Sequence, residues 1–308
     1  MSSNNWFRDT CTVKVGDVVK DSAPIRAVDC RTTVAATLDV LSEQGVTTIA
    51  VHGEVGHWLG EAKLVCGKRQ YIGMVSILDI LSYLLKHADG LEHHLSSRIT
   101  EAIGSTTETL TVWTEDTERP LFFCMEQFCR GTHHAFCVGP AGTEPMMLSQ
   151  SDLVSYLLNN ETAMPHIGAA LDRPVESIAS AASDFIGGGD KLLVAVQQLL
   201  RHHAVPVVDG NGSVLSTLSA SDMKGQLGTM VALMAPMTVV EYLQYRNNGV
   251  VPAPFTVAPT TTVREAARAM LMRRMHRVWL QPGAEGTLPG VLSLTDVIRV
   301  IFTAELPP

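Results

Sequence analysis

No two cysteines in this 308-residue chain stand in C-x-x-C spacing, and none of the six lies beyond Cys137. That absence speaks against a disulfide framework or a zinc site and favours a reducing compartment. The opening stretch, Met1-Ser-Ser-Asn-Asn-Trp-Phe-Arg-Asp-Thr10, has no apolar segment of the kind a secretory signal needs. The longest uncharged run of the second half, Leu227 to Val240, contains Pro236 and is too short to span a bilayer, so a partly buried linker is expected there. No G-x-S-x-G elbow and no cysteine–histidine pair stands out, and none of the 11 histidines falls in metal-binding helical spacing beside an acid. Positive charge is also short: 23 Lys and Arg against 31 Asp and Glu give a net charge of −8. That balance argues against general nucleic-acid binding, although a local anion site depends only on neighbouring charges. The expected location is the cytoplasm, with the nucleus second, and neither nucleic acid nor membrane is an expected partner. Asn211-Gly-Ser213 matches a glycosylation sequon but reads as a turn in such a compartment.

What the chain does have is repetition. Four segments share one pattern: Ser76-Ile-Leu-Asp79, Ser149-Gln-Ser-Asp152, Ser219-Ala-Ser-Asp222 and Ser293-Leu-Thr-Asp296. Their aspartates fall 73, 70 and 74 positions apart. Each follows a stretch that reads as a strand and opens one that reads as a helix. A near-fixed period means one supersecondary unit copied, here four times. With 46% hydrophobic and 18% charged residues, the chain can form sizeable cores. A unit of about seventy residues is near the lower edge of independent stability, so the units are expected to pair.

The fourth copy is the clearest. Phe255 to Ala258 reads as a strand, and Thr262-Val-Arg-Glu265 as a capping box opening a helix over Val263 to Met275. His276 to Leu280 is a second strand, Pro282-Gly283 a turn, and Gly290 to Ser293 the returning strand before a helix over Leu294 to Phe302. The third copy gives a helix from Asp190 to His202, a hairpin over Ala204 to Leu218 turning at Asp209-Gly-Asn-Gly212, and a helix from Ser219. The first has helices over Thr33 to Gln44 and Ile77 to Lys86, with strands Thr48 to Val51 and Tyr71 to Val75. The second, more worn, has a helix around Pro120 to Cys129 and strands Ala135 to Val138 and Met146 to Leu148. Gly187-Gly-Gly-Asp-Lys191 lacks phosphate-loop spacing and reads as a turn, with Asp190 as the next helix cap. Periodicity breaks over residues 159–165, where a boundary between pairs is expected.

This strand–helix–strand–strand–helix order with its terminal Ser-x-x-Asp resembles cystathionine-β-synthase (CBS) domains. Two segments resemble the γ subunit of AMP-activated/SNF1-type protein kinases: Lys68-Arg-Gln-Tyr-Ile-Gly-Met-Val-Ser76, and His276-Arg-Val-Trp with Gly290-Val-Leu-Ser-Leu-Thr-Asp-Val-Ile298. The resemblance spans residues 13–303. It implies an α/β (α+β) fold of four CBS repeats in two tandem Bateman modules. The first module covers 13–160 (repeats about 13–90 and 95–160) and the second 165–303 (repeats about 165–226 and 238–303).

Ser-x-x-Asp alone is a good helix cap. A carboxylate can also take both hydroxyls of a ribose, and all four copies carry Asp where a capping box usually carries Glu or Gln. The resemblance implies the ribose role. The candidate nucleotide-binding set is therefore Ser76 and Asp79, Ser149 and Asp152, Ser219, Ser221 and Asp222, and Ser293, Thr295 and Asp296. Val291, Leu292, Val207 and Val208 could form an apolar slot for a base. His276 and Arg277 match the family's phosphate-contacting pair. His133 and His134 hold that place in the second copy, His202 and His203 in the third, Thr47 and Thr48 in the first. Arg273 and Arg274 lie close by and read as solvated. The departures at the first pair make Asp222 and Asp296 better candidates for a site than Asp79.

With nearly all the chain used by repeats, no separate catalytic domain is expected. The expectation is a regulatory adenine-nucleotide sensor that is not an enzyme, with AMP, ADP and ATP as regulatory ligands, no catalytic cofactor and no metal. Its partners would be kinase catalytic and scaffold subunits, or a second copy of the chain through its CBS modules. Two other readings stand: an interaction scaffold with degenerate ligand sites, and a sensor of S-adenosylmethionine whose binding would not depend on Arg277.

Overall fold

The computed structural model describes residues 9–22, 24–56, 64–66, 68–87, 90–106, 109, 113–140, 143–224, 236–280 and 290–305. The start of the chain, most of the expected linker and the expected turn at Pro282-Gly283 lie outside them.

The first repeat runs β1 (Ala27–Asp29), α1 (Val34–Glu43), β2 (Thr48–Glu54), β3 (Leu64–Cys66), β4 (Arg69–Ser76) and α2 (Ile77–Lys86). The second runs β5 (Thr114–Asp116), α3 (Leu121–Cys129), β6 (His134–Val138), β7 (Met146–Ser149) and α4 (Gln150–Asn159). In the third, β8 (Ser180–Ala181) and β9 (Ile186–Gly187) precede α5 (Leu192–His202), β10 (Ala204–Val208) and β11 (Val214–Ser219). The fourth opens with α6 (Val239–Arg246) and continues through β12 (Thr256–Val257), α7 (Val263–Met272), β13 (Arg277–Leu280), β14 (Gly290–Ser293) and α8 (Leu294–Glu305). Each repeat builds one sheet in which a leading strand lies parallel to the middle strand, and the returning strand pairs antiparallel to it. The first sheet gains β3 on its edge, and the fourth gains β8. This is the mixed α/β architecture expected from the sequence.

The helices start where side chains supply the missing acceptors. Thr33 accepts from Ala36 N and Thr262 from Glu265 N, the latter within a capping box as expected. α5 differs from the expectation. Lys191, not Asp190, stands at its N-cap, and the Asp190 carboxylate accepts instead from Gly187 N at 2.7 Å, closing the glycine turn on itself. After Ser219 the described residues contain the 3₁₀ turn Ala220–Met223, and the continuation of the helix expected from Ser219 lies outside them.

The helices bury their apolar faces in two compact units. One comprises residues 1–25, 113–182 and 255–308 and holds the second and fourth repeats. The other comprises 26–112 and 183–254 and holds the first and third. In the first of these, Phe128, Leu153, Leu157, Val263, Met270, Val297 and Ile301 share a core; in the second, Leu41, Ile49, Leu81, Leu84, Leu199, Val205 and Tyr242 do. The packing thus groups alternate repeats, whereas the expected modules 13–160 and 165–303 group consecutive ones. The break expected over 159–165 does not part the cores, since α4 and the helix Pro165–Leu171 share a unit.

The two partitions cross because leading segments are exchanged. The stretch ahead of the first repeat lies on the second: Lys14 bridges Pro120, and Val15 N donates to Arg119 O at 3.0 Å. The stretch ahead of the second lies on the first, with Arg98 bridging Thr33 and Ile99 N donating to Thr32 O at 2.8 Å. The same exchange joins Pro174 to Thr262 and Thr238 to Lys191, with Val175 N on Thr261 O at 2.8 Å and Val239 N on Asp190 O at 3.0 Å. Val15, Ile99, Val175 and Val239 are the four anchors, each 0% exposed. Repeat limits drawn at 13, 95, 165 and 238 therefore assign each leading segment to the wrong core. No helix among the described residues is long and apolar enough to cross a membrane.

Ile99→Ala should cost about 2–5 kcal/mol of stability through the cavity it leaves. Hydrogen exchange should then rise in α1 of the first repeat and leave α3 of the second unchanged. The opposite distribution would mean that this segment packs on its own repeat.

Candidate functional site

One geometry recurs at the start of each repeat's final helical turn. The carbonyl just before the middle strand accepts the first helical amide: Ile77 N on Thr47 O at 2.8 Å, Gln150 N on His133 O at 3.2 Å, Ala220 N on His203 O at 2.9 Å, Leu294 N on His276 O at 2.9 Å. The next residue sits opposite the serine of the repeated Ser-x-x-Asp, giving the pairs Thr48–Ser76, His134–Ser149, Ala204–Ser219 and Arg277–Ser293. The equivalent positions are thereby fixed. His203-Ala204, not His202-His203, corresponds to His276-Arg277. His202 instead pairs through Nε2 with Asp184 Oδ2 at 2.7 Å.

All four aspartates do act as caps. Asp79, Asp152, Asp222 and Asp296 each accept through Oδ2 from the amide and the hydroxyl of their serine, at 2.6–2.9 Å. Any ligand would have to use the other oxygen, and there the copies part. Asp79 Oδ1 accepts from Thr106 N at 2.8 Å and from the hydroxyls of Thr106 and Thr109, both at 2.7 Å. Asp79 is 0% exposed. A carboxylate offers about four lone-pair directions. Five donors already converge on this one, so the expected ribose role of Asp79 does not fit. Asp296 Oδ1 accepts from Arg299 Nη1 at 2.7 Å, and Arg299 also donates to Cys129 O at 3.0 Å. Among the described residues, Oδ1 of Asp152 and of Asp222 receives no protein donor. Asp152 is exposed and Asp222 half-buried.

Electrostatics separate the copies further. Burial raises the Asp222 carboxyl above its ordinary range, outweighing the Ser219 hydrogen bonds and the nearby Arg246 charge. Its backbone carbonyl accepts from the Tyr242 hydroxyl at 2.6 Å. At the fourth repeat, burial lowers the Arg277 guanidinium to about 10, with the Asp296 charge opposing the shift. Arg277 therefore stays cationic at neutral pH while partly stripped of water, beside an acid and a helix N-terminus. His276 is exposed and His133 and His134 are half-buried. Arg273 stacks over the Phe255 ring, 4.4 Å from its centroid.

Other candidates fall into structural roles. Leu292 and Val207 are 0% exposed members of the cores and Val208 is 6% exposed, so little of the expected apolar slot is open there; Val291 is half-buried. Ser221 is exposed. Thr295 Oγ1 accepts from Gln150 Nε2 at 2.9 Å, and the same amide donates to Thr132 O at 3.0 Å, tying the starts of α4 and α8. Sequence reasoning missed Thr106, Thr109, Arg299 and Gln150. Of these only Arg299 carried a readable signal, its i,i+3 spacing from Asp296. The glycines 187–189 join Val208, Asp209, Leu215 and Val240 around an open depression with no cation in its lining. Among the described residues no group of three or more His, Cys, Asp or Glu is arranged to hold a metal. Burial pushes the Cys129 thiol up to about 11 and Cys137 to about 12, so neither is a thiolate near neutrality.

Residues 250–303 match the family model of the CBS domain. Two γ-like regulatory subunits of SNF1-related protein kinase from Arabidopsis thaliana are similar along most of their length. PV42b is 25% identical across 95% of this chain and 95% of its own, and PV42a 25% identical across 87% and 88%. Among solved structures, a proposed archaeal homologue of g-AMPK from Methanocaldococcus jannaschii shares the fold, with a TM-score of 0.71 at 13% identity over 93% of this chain and 99% of that one. Residues 250–303 thus match a CBS domain, and the chain is similar over nearly its full length to γ-like regulatory subunits of SNF1-related kinases.

Proposed function

We propose that this chain is a regulatory, non-catalytic subunit that binds adenine nucleotides, with AMP, ADP and ATP competing for its Ser-x-x-Asp turns, and that it acts on a protein kinase with catalytic and scaffold partners. The kinase link rests on the similarity to the Arabidopsis γ-like regulatory subunits. The observation that carries the ligand reading is the Arg277–Asp296 arrangement. A partly desolvated guanidinium stands next to the capped start of α8, a twelve-residue helix whose positive end faces the same turn. A cation and a helix N-terminus together favour a phosphate, and the adjacent carboxylate can accept from sugar hydroxyls once Arg299 swings away. Arg299 itself is 53% exposed, so its guanidinium has solvent into which it can move. Signalling then requires that the nucleotides differ in affinity for two states of the partner complex.

The scaffold reading draws on the saturated Asp79 and applies to the first repeat alone. S-adenosylmethionine carries no phosphate, so that reading predicts no phosphate contact at Arg277.

Arg277→Gln should weaken AMP and ATP by about ten- to hundredfold, the worth of one charge-assisted hydrogen bond, and leave adenosine almost unchanged. Calorimetry with all three ligands reads this directly. Unchanged AMP affinity would remove the phosphate role, and equal loss of adenosine would mean a damaged cleft.

Asp222 makes a prediction of opposite slopes. Its folded pKa is raised, so the fold disfavours the ionised form, and its contribution to stability is lost as pH rises through that pKa. Ligand hydroxyls need the ionised acceptor, so affinity at this turn should instead grow as pH rises from the ordinary carboxylate range through the raised pKa. Thermal melting and calorimetry over that range should show both slopes, and Asp222→Asn should abolish both. Parallel slopes would leave Asp222 as a cap only.

A further inference from the structure

The first repeat differs from the other three in what lies on its carboxylate. Thr106 and Thr109 place two hydroxyls on the single oxygen Asp79 Oδ1, each at 2.7 Å, and the Thr106 amide adds a third donor at 2.8 Å. The segment carrying them is fastened at two further points. Ser82 Oγ donates to Ser105 O at 3.3 Å, and Ile103 lies so close on β4 that a Cβ at Gly73 would stand 3.0 Å from its Cγ2. Thr109 and Asp79 are both buried. A pair of hydroxyls converging on one carboxylate is what a vicinal diol would present to the same group.

We propose that Thr106 and Thr109 are specificity-determining residues that act as a built-in occupant of the first repeat, closing Asp79 to diol ligands and confining binding to the other repeats. The inference rests on the reading that Ser-x-x-Asp carboxylates take ligand hydroxyls. Physically, an incoming diol would have to displace three hydrogen bonds on a buried carboxylate and would regain only two, with no cation at Thr48 to add phosphate contacts. The closed state is therefore the resting state at any nucleotide concentration at which the other turns fill.

The test uses the full chain and two probes, adenosine and AMP, in calorimetry. Thr106→Val with Thr109→Val keeps both β-branched shapes and removes both hydroxyls. The double variant should gain one binding event absent from the wild type, and adding Asp79→Asn should erase it. Because position 48 is a threonine, the gained event should bind adenosine and AMP equally, within about threefold. No gained event in a folded double variant overturns the inference. If the wild type binds neither probe, the functional reading fails by itself, and the double variant still decides: a gained, Asp79-dependent event supports closure, and none refutes it. Should the double variant not fold, hydrogen exchange on the wild type replaces it. Saturating AMP should leave the protection of residues 104–106 unchanged, whereas faster exchange there on binding would show that the ligand displaces the segment and would overturn the proposal.

Discussion

The hydrogen bond on which this molecule turns is the one from each serine to its aspartate three residues on. It closes the first turn of the helix, pins that helix to the returning strand, and does so with one oxygen of a group that has two. Glutamate at the same place, as at Glu241 and Glu265, caps from a longer arm at the starts of α6 and α7, where Thr238 and Thr262 form single bridges to Lys191 and Pro174. Aspartate is short enough that its second oxygen stays at the junction of strand and helix. Each repeat divides that carboxylate differently: wholly internal at Asp79, shared with an arginine at Asp296, and with one oxygen clear of protein donors among the described residues at Asp152 and Asp222.

The exchange of leading segments is the second constraint. Each repeat contributes one buried aliphatic anchor to the other repeat of its tandem pair, so no repeat completes its core alone. A unit this small buries too little surface to be stable by itself, and lending a segment adds apolar contact without lengthening the unit. The large cores then form between helices of alternate repeats, among them Leu81 with Leu199 and Phe128 with Ile301. Every repeat is bound to one neighbour by backbone and to another by side chains.

This explains what the sequence could and could not disclose. The strand–helix–strand–strand–helix order was legible because apolar periodicity and capping boxes are local signals, and Thr262-Val-Arg-Glu265 and Ser293-Leu-Thr-Asp296 open helices where the residues say they should. The owner of Val15 or Val239 was not legible, since a short apolar stretch looks the same whichever core it enters. Asp190 was misread for a related reason: an aspartate before a helix can cap the helix or close the preceding turn, and only the reach to Gly187 N decides. The saturation of Asp79 comes from threonines 27 and 30 positions away, a distance at which no local pattern operates.

The row of residues facing the four serines carries the last step. Thr48 and Ala204 belong to the unit of the first and third repeats and bring no positive charge to their turns. His134 and Arg277 belong to the other unit, where one glutamine amide ties the starts of α4 and α8. An arginine and a histidine thus stand opposite the capping serines of that unit, where threonine and alanine stand in the other. In the other unit the carboxylate facing Thr48 is taken up by internal donors, and the one facing Ala204 keeps one oxygen clear of protein donors among the described residues. Identical caps thus support unequal chemistry, and the inequality follows the packing of alternate repeats rather than their order in the chain.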